Sequence, residues 1–289
     1  MRHATRSSLC ALAILSVLCR DVIRGSAGAE LVDGYADVPG ARLWYRDSGG
    51  NGVPVVFMHA ATGSGRVWEY QETAFTAAGF RFITFDRRGF GRTLADAAAP
   101  AGTGADDLNA LLNVLHVDRF HLVGTAAGGF VCFDYALSFP DRLRSLVVAN
   151  SIGGMQDPEF LQLGLRLRPA PFDQMPPEFR ELGPLYRAGN PDGTRRWVEL
   201  ERSSRPEGPR AAAQPLRNRL TLGGLESIKA PTLLLTGDAD LYAPPPVTEM
   251  FAKRIKGAEL FIVSGAGHSA YWEQPEIFNR AVLTFIGKH

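Results

Sequence analysis

The 289-residue sequence lacks a charge imbalance, a pair of cysteines beyond its first 30 residues, and any long apolar segment. With 31 Lys and Arg against 30 Asp and Glu, the net charge of +1 gives no electrostatic reason to bind nucleic acid or an anionic membrane surface. Cys10 and Cys19 lie near the start, so only Cys132 remains beyond them and no internal disulfide can form there. The apolar runs are too short for a membrane-spanning helix, which needs about 20 residues.

Signatures of cofactor binding are also missing. The sequence has no Cys and His cluster with metal-ligand spacing, no phosphate-binding loop and no dinucleotide fingerprint. We therefore expect no cofactor and no metal. A small-molecule substrate is compatible with this composition.

Residues 1–29 have the pattern of a secretory signal peptide. Arg2 and Arg6 supply a charged start, Leu9–Leu18 is a short apolar run, and Ala27–Ala29 offers small residues for cleavage. Three charged residues between 19 and 25 depart from that pattern, and the alternatives are a cytoplasmic tail or a misassigned start codon. We expect a periplasmic or secreted protein, with a cytoplasmic one as the alternative.

Buried-strand patterns alternate with helical patterns over most of the chain. Apolar runs that are typical of strands buried on both faces occur at 53–58, 80–85, 145–151 and 230–236. Helical patterns lie between them, for example at 68–78 and 102–115. This alternation predicts an α/β fold: a mostly parallel twisted sheet with helices on both faces. In such sheets, ligands bind at the carboxyl ends of the strands.

One stretch, residues 120–130, has the features of a catalytic turn. An apolar run ends at Gly124, three small residues follow, and a helical pattern begins after Gly128 and Gly129. Strand, sharp turn and helix are the plan of the nucleophile elbow, Gly-x-Ser-x-Gly. Gly124 and Gly128 fit the flanking glycines, and Ala126 occupies the position of the nucleophile.

With this motif and those below in order, the sequence resembles the α/β-hydrolase fold superfamily over residues 31–288. The compact form with one cap inserted after the sixth core strand fits best. The resemblance implies a core of residues 30–151 and 224–289 and a helical cap at 152–223. The cap segment has many prolines and no buried-strand run. Its arginines are typical of a solvated helix face, and the alternative is that one of them reaches a substrate carboxylate.

The resemblance also implies catalytic residues near the end of the chain. Asp240 lies in the pattern Gly-x-x-Asp-x-x-x-Pro, where the family carries its acid, and Asp238 is expected to be a turn residue. His268 lies in Gly-x-Gly-His before a helix start that contains Pro and Glu, where the family carries its catalytic histidine. A histidine oriented by an acid is the base of the hydrolytic mechanism.

Two backbone N–H groups are expected to complete the site. The resemblance places the oxyanion hole at Ala61, after the strand that ends at Met58, and at Ala127, after the elbow position. Ala60 replaces the usual glycine of this loop, and the alternative is a plain strand-to-helix turn. His59 and the loop at 86–93, which matches Asp-x-Arg-Gly-x-Gly-x-Ser, are expected to be structural.

The missing serine leaves three explanations. The first is a serine replaced by alanine to trap a substrate. The second is an enzyme in which His268 and Asp240 act on water or on a C–H, O–H or N–H acid of the substrate. The third is a binding protein that retains the pocket. Triad enzymes stripped of their triad still accelerate reactions by about 10³–10⁴-fold through the oxyanion hole and substrate binding.

Other side chains are poor substitutes for the serine. Cys132 reads as a small buried hydrophobe, and no role as nucleophile is expected for Thr125, Ser64, Ser151 or Ser269. Dehalogenases and epoxide hydrolases need Asp at the elbow, where this sequence has Ala126, so neither activity is expected. The expected function is hydrolase chemistry on a small carbonyl compound: an ester, a lactone or a C–C bond beside a ketone. The alternative is a lyase, an isomerase-like enzyme or a small-molecule-binding protein on the same fold.

Overall fold

A nine-stranded sheet organises the described part of the computed structural model, which comprises Met1 and residues 31–168, 170–206 and 211–289. Apart from Met1, the predicted signal peptide lies outside the described residues. The strands are β1 (Val32–Val38), β2 (Ala41–Asp47), β3 (Pro54–Met58), β4 (Arg81–Phe85), β5 (Leu94–Ala95), β6 (Phe120–Thr125), β7 (Leu143–Ala149), β8 (Thr232–Gly237) and β9 (Glu259–Val263).

Ten α-helices accompany the sheet in the same described residues. They are α1 (Glu69–Ala77), α2 (Gly104–Val114), α3 (Ala127–Ser138), α4 (Pro158–Leu167), α5 (Pro177–Glu181), α6 (Pro184–Gly189), α7 (Pro191–Ser203), α8 (Pro245–Ala252), α9 (Ala270–Glu273) and α10 (Pro275–Ile286). Of these described helices, none is both long and apolar enough to span a bilayer.

The strand order is β1-β2-β4-β3-β6-β7-β8-β9, with β5 paired to β2. Strand β2 is antiparallel to its three partners, β1, β4 and β5. The remaining neighbours in the sheet, from β4 through β3, β6, β7 and β8 to β9, are parallel. The predicted α/β fold with a mostly parallel sheet is therefore confirmed. Met58 is in register with Gly124, and Thr125 with Ala149, so β3, β6 and β7 end at the same edge of the sheet.

Apolar cores cover both faces of the sheet. On one face Leu108, Phe133 and Phe251 belong to a cluster with the inward side chains of β3, β4 and β6. On the other face Phe75, Trp272 and Phe285 belong to a second cluster with the alternate residues of the same strands. Every residue of β6 and β8 is buried, which explains why these strands read as continuous apolar runs.

The segment between β7 and β8 contains helices α4 to α7. Each begins with a proline at its first position, where the missing N–H costs no helical hydrogen bond. Trp197 and Leu200 of α7 are buried in the second core cluster, so this segment is packed onto the core. The cap at residues 152–223, with those boundaries, stays a prediction.

Candidate active site

The turn between β6 and α3 holds Ala126 in a strained backbone conformation. Its φ of 49° and ψ of −119° lie where residues with a side chain are rare, at a cost on the order of 1–3 kcal/mol. The N–H of Ala126 donates to the carbonyl of Ala149 at 3.0 Å, and its own carbonyl accepts from Gly129 N–H at 3.0 Å. The strand–turn–helix geometry is that of the predicted elbow, with a methyl group at its apex.

Glycines flank the turn because neighbouring backbone and side chains leave no room for a Cβ. A Cβ on Gly128 would lie 2.4 Å from the carbonyl oxygen of Met58, and one on Gly124 would lie 2.3 Å from the sulfur of Cys132. These contacts bring the start of α3 against the end of β3. The motif glycines thus place the elbow beside the loop that carries Ala61.

His268 and Asp240, which are 28 residues apart in the chain, meet at the same edge of the sheet. The Nδ1 atom of His268 lies 2.9 Å from both carboxylate oxygens of Asp240. The two residues are 6% and 2% exposed. Asp240 follows β8 and His268 follows β9, so the pairing of these strands brings together the two residues that the sequence predicts.

A hydrogen-bond network fixes the carboxylate of Asp240. One oxygen accepts from the backbone N–H groups of Tyr242 and Ala243 at 2.8 and 2.9 Å. The other accepts from the side-chain amide of Asn150 at 3.0 Å, and that amide also donates to the carbonyl of Gly267 at 3.0 Å. Sequence reasoning missed Asn150. Its positive φ of 48°, which asparagine tolerates better than most residues, lets it cross-link the two loops.

The charges around His268 favour proton uptake by the imidazole. Burial raises the pKa of Asp240, but the charge of His268 and the hydrogen bonds hold it below the usual value. Burial likewise opposes protonation of His268, but the negative charges of Asp240 and Glu181 raise the pKa of the imidazole. The ring of Tyr242 lies over that of His268, with centroids 4.4 Å apart. Since Nδ1 is engaged by Asp240, Nε2 is the nitrogen left for chemistry.

A cavity of about 320 Å³ with mostly apolar walls connects the predicted residues. Ala61, Ala126, Ala127 and His268 all line it, whereas Asp240 is held behind His268. The remaining lining residues are Thr62, Phe130, Ile152, Arg180, Glu181 and Tyr242. The structure thus brings together every residue that the sequence assigned to the site.

Ala61 and Ala127 line this cavity from different elements. Ala127 is the first residue of α3, so its N–H has no partner within the helix. Within the described chain, neither that N–H nor the N–H of Ala61 donates to an acceptor. Ala60 has no positive φ, so the loop does not require the glycine that is usual there. The arrangement is compatible with the predicted oxyanion hole.

Other motif residues have structural contacts. The Nε2 atom of buried His59 accepts from Arg87 N–H at 3.0 Å, and its Nδ1 atom lies 2.7 Å from the carbonyl of Ala60. Asp86 accepts from the N–H groups of Gly65 and Arg92 at 2.6 and 2.8 Å, and burial raises its pKa to about 6. Both residues tie loops together beneath the cavity.

Two further assignments agree with their expected local roles. Asp238 accepts from Ser264 Oγ at 3.0 Å and from Gly265 N–H at 2.6 Å, as expected of a turn residue. Cys132 is fully buried, and burial raises the pKa of its thiol well above the usual value. An inert thiol of this kind is not a nucleophile.

The hydroxyl groups that could replace serine lie elsewhere. Ser151 Oγ donates to the carbonyl of Ala126 at 2.7 Å and accepts from Gly153 N–H at 3.0 Å, beneath the elbow. Thr125, Ser64 and Ser269 are buried, and none of these four residues lines the cavity of His268. The hydroxyl groups in the described lining are those of Thr62 and Tyr242.

Three charged side chains of the site were not singled out by the sequence. Arg180 and Glu181 enter the cavity from α5, and Glu273 lies behind it on α9. Glu273 accepts from the N–H groups that flank His268, those of Gly267 and Ser269. Burial raises its pKa to about 7. No motif marks these positions. Among the described residues, no group of three or more His, Cys, Asp or Glu could hold a metal ion.

Comparison with known proteins identifies the family. The profile of the alpha/beta hydrolase fold matches residues 53–275. A 2-hydroxy-6-oxononadienedioate/2-hydroxy-6-oxononatrienedioate hydrolase of Burkholderia vietnamiensis is 29% identical over 284 residues, which cover 90% of this chain and 96% of the relative.

Solved structures agree with that match. A thermophilic esterase of Thermogutta terrifontis with malate bound is 28% identical with a TM-score of 0.74, over 90% of this chain and 99% of the esterase. Est816, an N-acyl homoserine lactone degrading enzyme, is 26% identical with a TM-score of 0.69, over 87% of this chain and all of the enzyme. Since the profile spans more than half of the sequence, the chain belongs to the α/β-hydrolase family. The three similar proteins named above are enzymes.

Proposed function

We propose that the protein hydrolyses a small carbonyl compound by direct attack of water, with His268 and Asp240 as the base. The observation that carries the proposal is the composition of one cavity. It is lined by a histidine already paired with a buried acid, by Ala61 and Ala127, whose N–H groups have no acceptor in the described residues, and by the residue at the elbow apex, which is alanine. This set of groups supports hydrolysis that needs no serine.

The mechanism uses the space beside Ala126 for water. His268 Nε2 accepts a proton as the water oxygen bonds to the carbonyl carbon, and the carbonyl electrons move to oxygen. The N–H groups of Ala61 and Ala127 stabilise that oxyanion. Asp240 accepts the Nδ1–H hydrogen bond, holds the ring orientation and stabilises the imidazolium. Collapse of the intermediate then breaks the bond to the leaving atom, which keeps the electron pair; the proton that His268 took up is finally delivered to that atom, so that the alcohol and the acid are released and the base is regenerated.

Arg180 supports a substrate that carries a carboxylate. Its Nε atom is buried without a hydrogen-bond partner in the described residues, its Nη1 atom donates to the hydroxyl of Tyr242 at 3.2 Å, and the exposed carboxylate of Asp173 lies 4.0 Å from that Nη1 atom. A buried unpaired donor in a cavity favours an acceptor on the ligand. Of the cap arginines, Arg180 alone lines the described cavity of His268. The dioate named for one relative and the malate bound to another are carboxylates as well.

Turnover of small aryl esters tests the proposal. We expect measurable hydrolysis by the chain as it stands, a loss of about 10²-fold or more in kcat on His268→Ala, and no loss on His289→Ala, which changes an exposed histidine. The Ala126→Ser variant restores a hydroxyl at the elbow and should hydrolyse faster.

Two results would contradict this function. Hydrolysis by Ala126→Ser alone would mean that the alanine chain is inactive as a hydrolase. Hydrolysis by neither protein would favour a lyase, an isomerase-like enzyme or a binding protein.

A further inference from the structure

Glu181 is a buried carboxyl group with an unused oxygen in the proposed active site. It is the last residue of α5 and is 5% exposed, and it lines the cavity of His268. Its Oε2 atom is shielded from solvent and has no close hydrogen-bond partner in the described residues, although the hydroxyl of Tyr242 in the same cavity acts on the carboxyl as a donor and lowers its pKa. A buried carboxyl group with so few partners destabilises a fold, so its place in the cavity wall favours a role toward a ligand.

A structural carboxylate in the same region looks different. Glu273 accepts hydrogen bonds from the N–H groups of Gly267, Ser269 and Gly183 at 2.9 to 3.2 Å. Those three bonds satisfy its oxygens within the protein. No backbone N–H of the described residues donates to the carboxyl of Glu181, so joining segments of the chain does not explain its position.

The backbone holds Glu181 and His268 on two segments that are joined directly. Gly183, two residues after Glu181, donates to Glu273, which also binds the N–H groups on both sides of His268. A Cβ on Gly267 would lie 2.3 Å from the nitrogen of Gly183, so the two backbones touch. The two side chains are therefore carried by segments that cannot move independently, and restricting motion in this way lowers the entropic cost of bringing two groups together.

The charges of the two groups also interact. Burial raises the pKa of Glu181 and the nearby charge of Asp240 raises it further, while His268, Arg180 and Tyr242 act to lower it. The net direction is upward, which favours the protonated carboxyl. Among the groups facing His268, Glu181 and Asp240 both raise the pKa of the imidazole. One cavity therefore holds two titratable groups that affect each other.

We propose that Glu181 is a second catalytic residue, the acid that protonates the leaving atom while His268 takes a proton from water. The proposal rests on the hydrolytic function proposed above. Water loses a proton to His268 Nε2 and its oxygen bonds to the carbonyl carbon. The bond from that carbon to the leaving atom breaks, its electron pair goes to the leaving atom, and the proton of Glu181 follows. Transfer of the proton from His268 back to Glu181 closes the cycle, and only water is consumed.

A leaving-group comparison tests this role. Two esters of one acid are used, one with an activated aryl leaving group and one with an alkyl alcohol. The aryl oxygen leaves without protonation, whereas the alkyl oxygen needs an acid. We expect Glu181→Gln to lower kcat/KM for the alkyl ester by about 10²-fold or more and to change the aryl ester far less. Glu178→Gln, on the same helix but outside the cavity lining, is the control and should change neither.

A measurement without substrate tests the geometry. His268→Ala should raise the pKa of Glu181 measured by NMR titration, because the charge of His268 that lowers this pKa is removed, and His289→Ala should leave it unchanged. An unchanged pKa of Glu181 in His268→Ala would overturn the proposal, as would equal losses for both esters.

The outcomes separate the two proposals. If His268→Ala abolishes hydrolysis but Glu181→Gln leaves the ratio of the two esters unaltered, only the role of Glu181 fails. If the unaltered chain hydrolyses neither ester, the hydrolytic function fails and the role of Glu181 fails with it.

Discussion

Replacing Ala126 by glycine should stabilise the protein, although the same replacement destabilises most folds. Ala126 has a φ of 49° and a ψ of −119°, a conformation that costs a residue with a Cβ on the order of 1–3 kcal/mol. Glycine avoids this strain but loses about 0.5–1 kcal/mol more conformational entropy on folding. The methyl group faces a cavity, so its removal sacrifices little packing. We expect Ala126→Gly to raise the free energy of unfolding by about 1 kcal/mol.

The matched control is Ala74→Gly within α1, which removes the same methyl group from regular helix. It should lower the free energy of unfolding by about 1 kcal/mol. Urea unfolding followed by tryptophan fluorescence measures both variants. Their free energies of unfolding should change in opposite directions and so differ from each other by about 2 kcal/mol. If Ala126→Gly loses as much stability as Ala74→Gly, no strain is stored at the elbow and the reasoning fails.

Two further predictions concern charged residues that surround the cavity. Burial raises the pKa of Glu273 from 4.5 to about 7. The stability that the protonated carboxyl contributes is therefore complete below about pH 4.5 and is lost as the pH rises through 7. The loss in the free energy of unfolding is on the order of 3 kcal/mol. Unfolding titrations from pH 5 to 8 should show wild type falling relative to Glu273→Gln, and parallel curves would refute this. Arg180→Ala should raise KM by about 10-fold or more for a carboxylate-bearing ester and leave a neutral ester unaffected. The exposed Arg195→Ala serves as control, and equal effects on both esters would exclude recognition of the carboxylate by Arg180.

Much of the fold and the main site residues follow from local sequence patterns. The elbow needs glycines where α3 approaches β3, and Asp240 and His268 follow strands β8 and β9, where the resemblance to the family's motifs locates them. The run at 230–236 corresponds to β8 at Thr232–Gly237. Strand β1 was not predicted, because it contains Gly and Asp and is largely exposed at the sheet edge.

The rest of the site depends on contacts between distant segments. Gly183 and Glu273 are 90 residues apart, as are Asn150 and Asp240. Glu181 and Arg180 lie on a five-residue helix whose sequence resembles that of any solvated surface helix. Burial of a charged residue is set by what packs over it, and a single sequence carries no periodic signal for that.

The mass of the intact protein during turnover of an aryl ester tests the central claim most directly. Direct attack by water forms no covalent intermediate, so the chain should keep its unmodified mass while product accumulates, and Ala126→Ser should gain the mass of an acyl group. An acyl adduct on the alanine chain, for example one lost on Thr62→Val, would contradict the account, because it would show that a side chain replaces the missing serine.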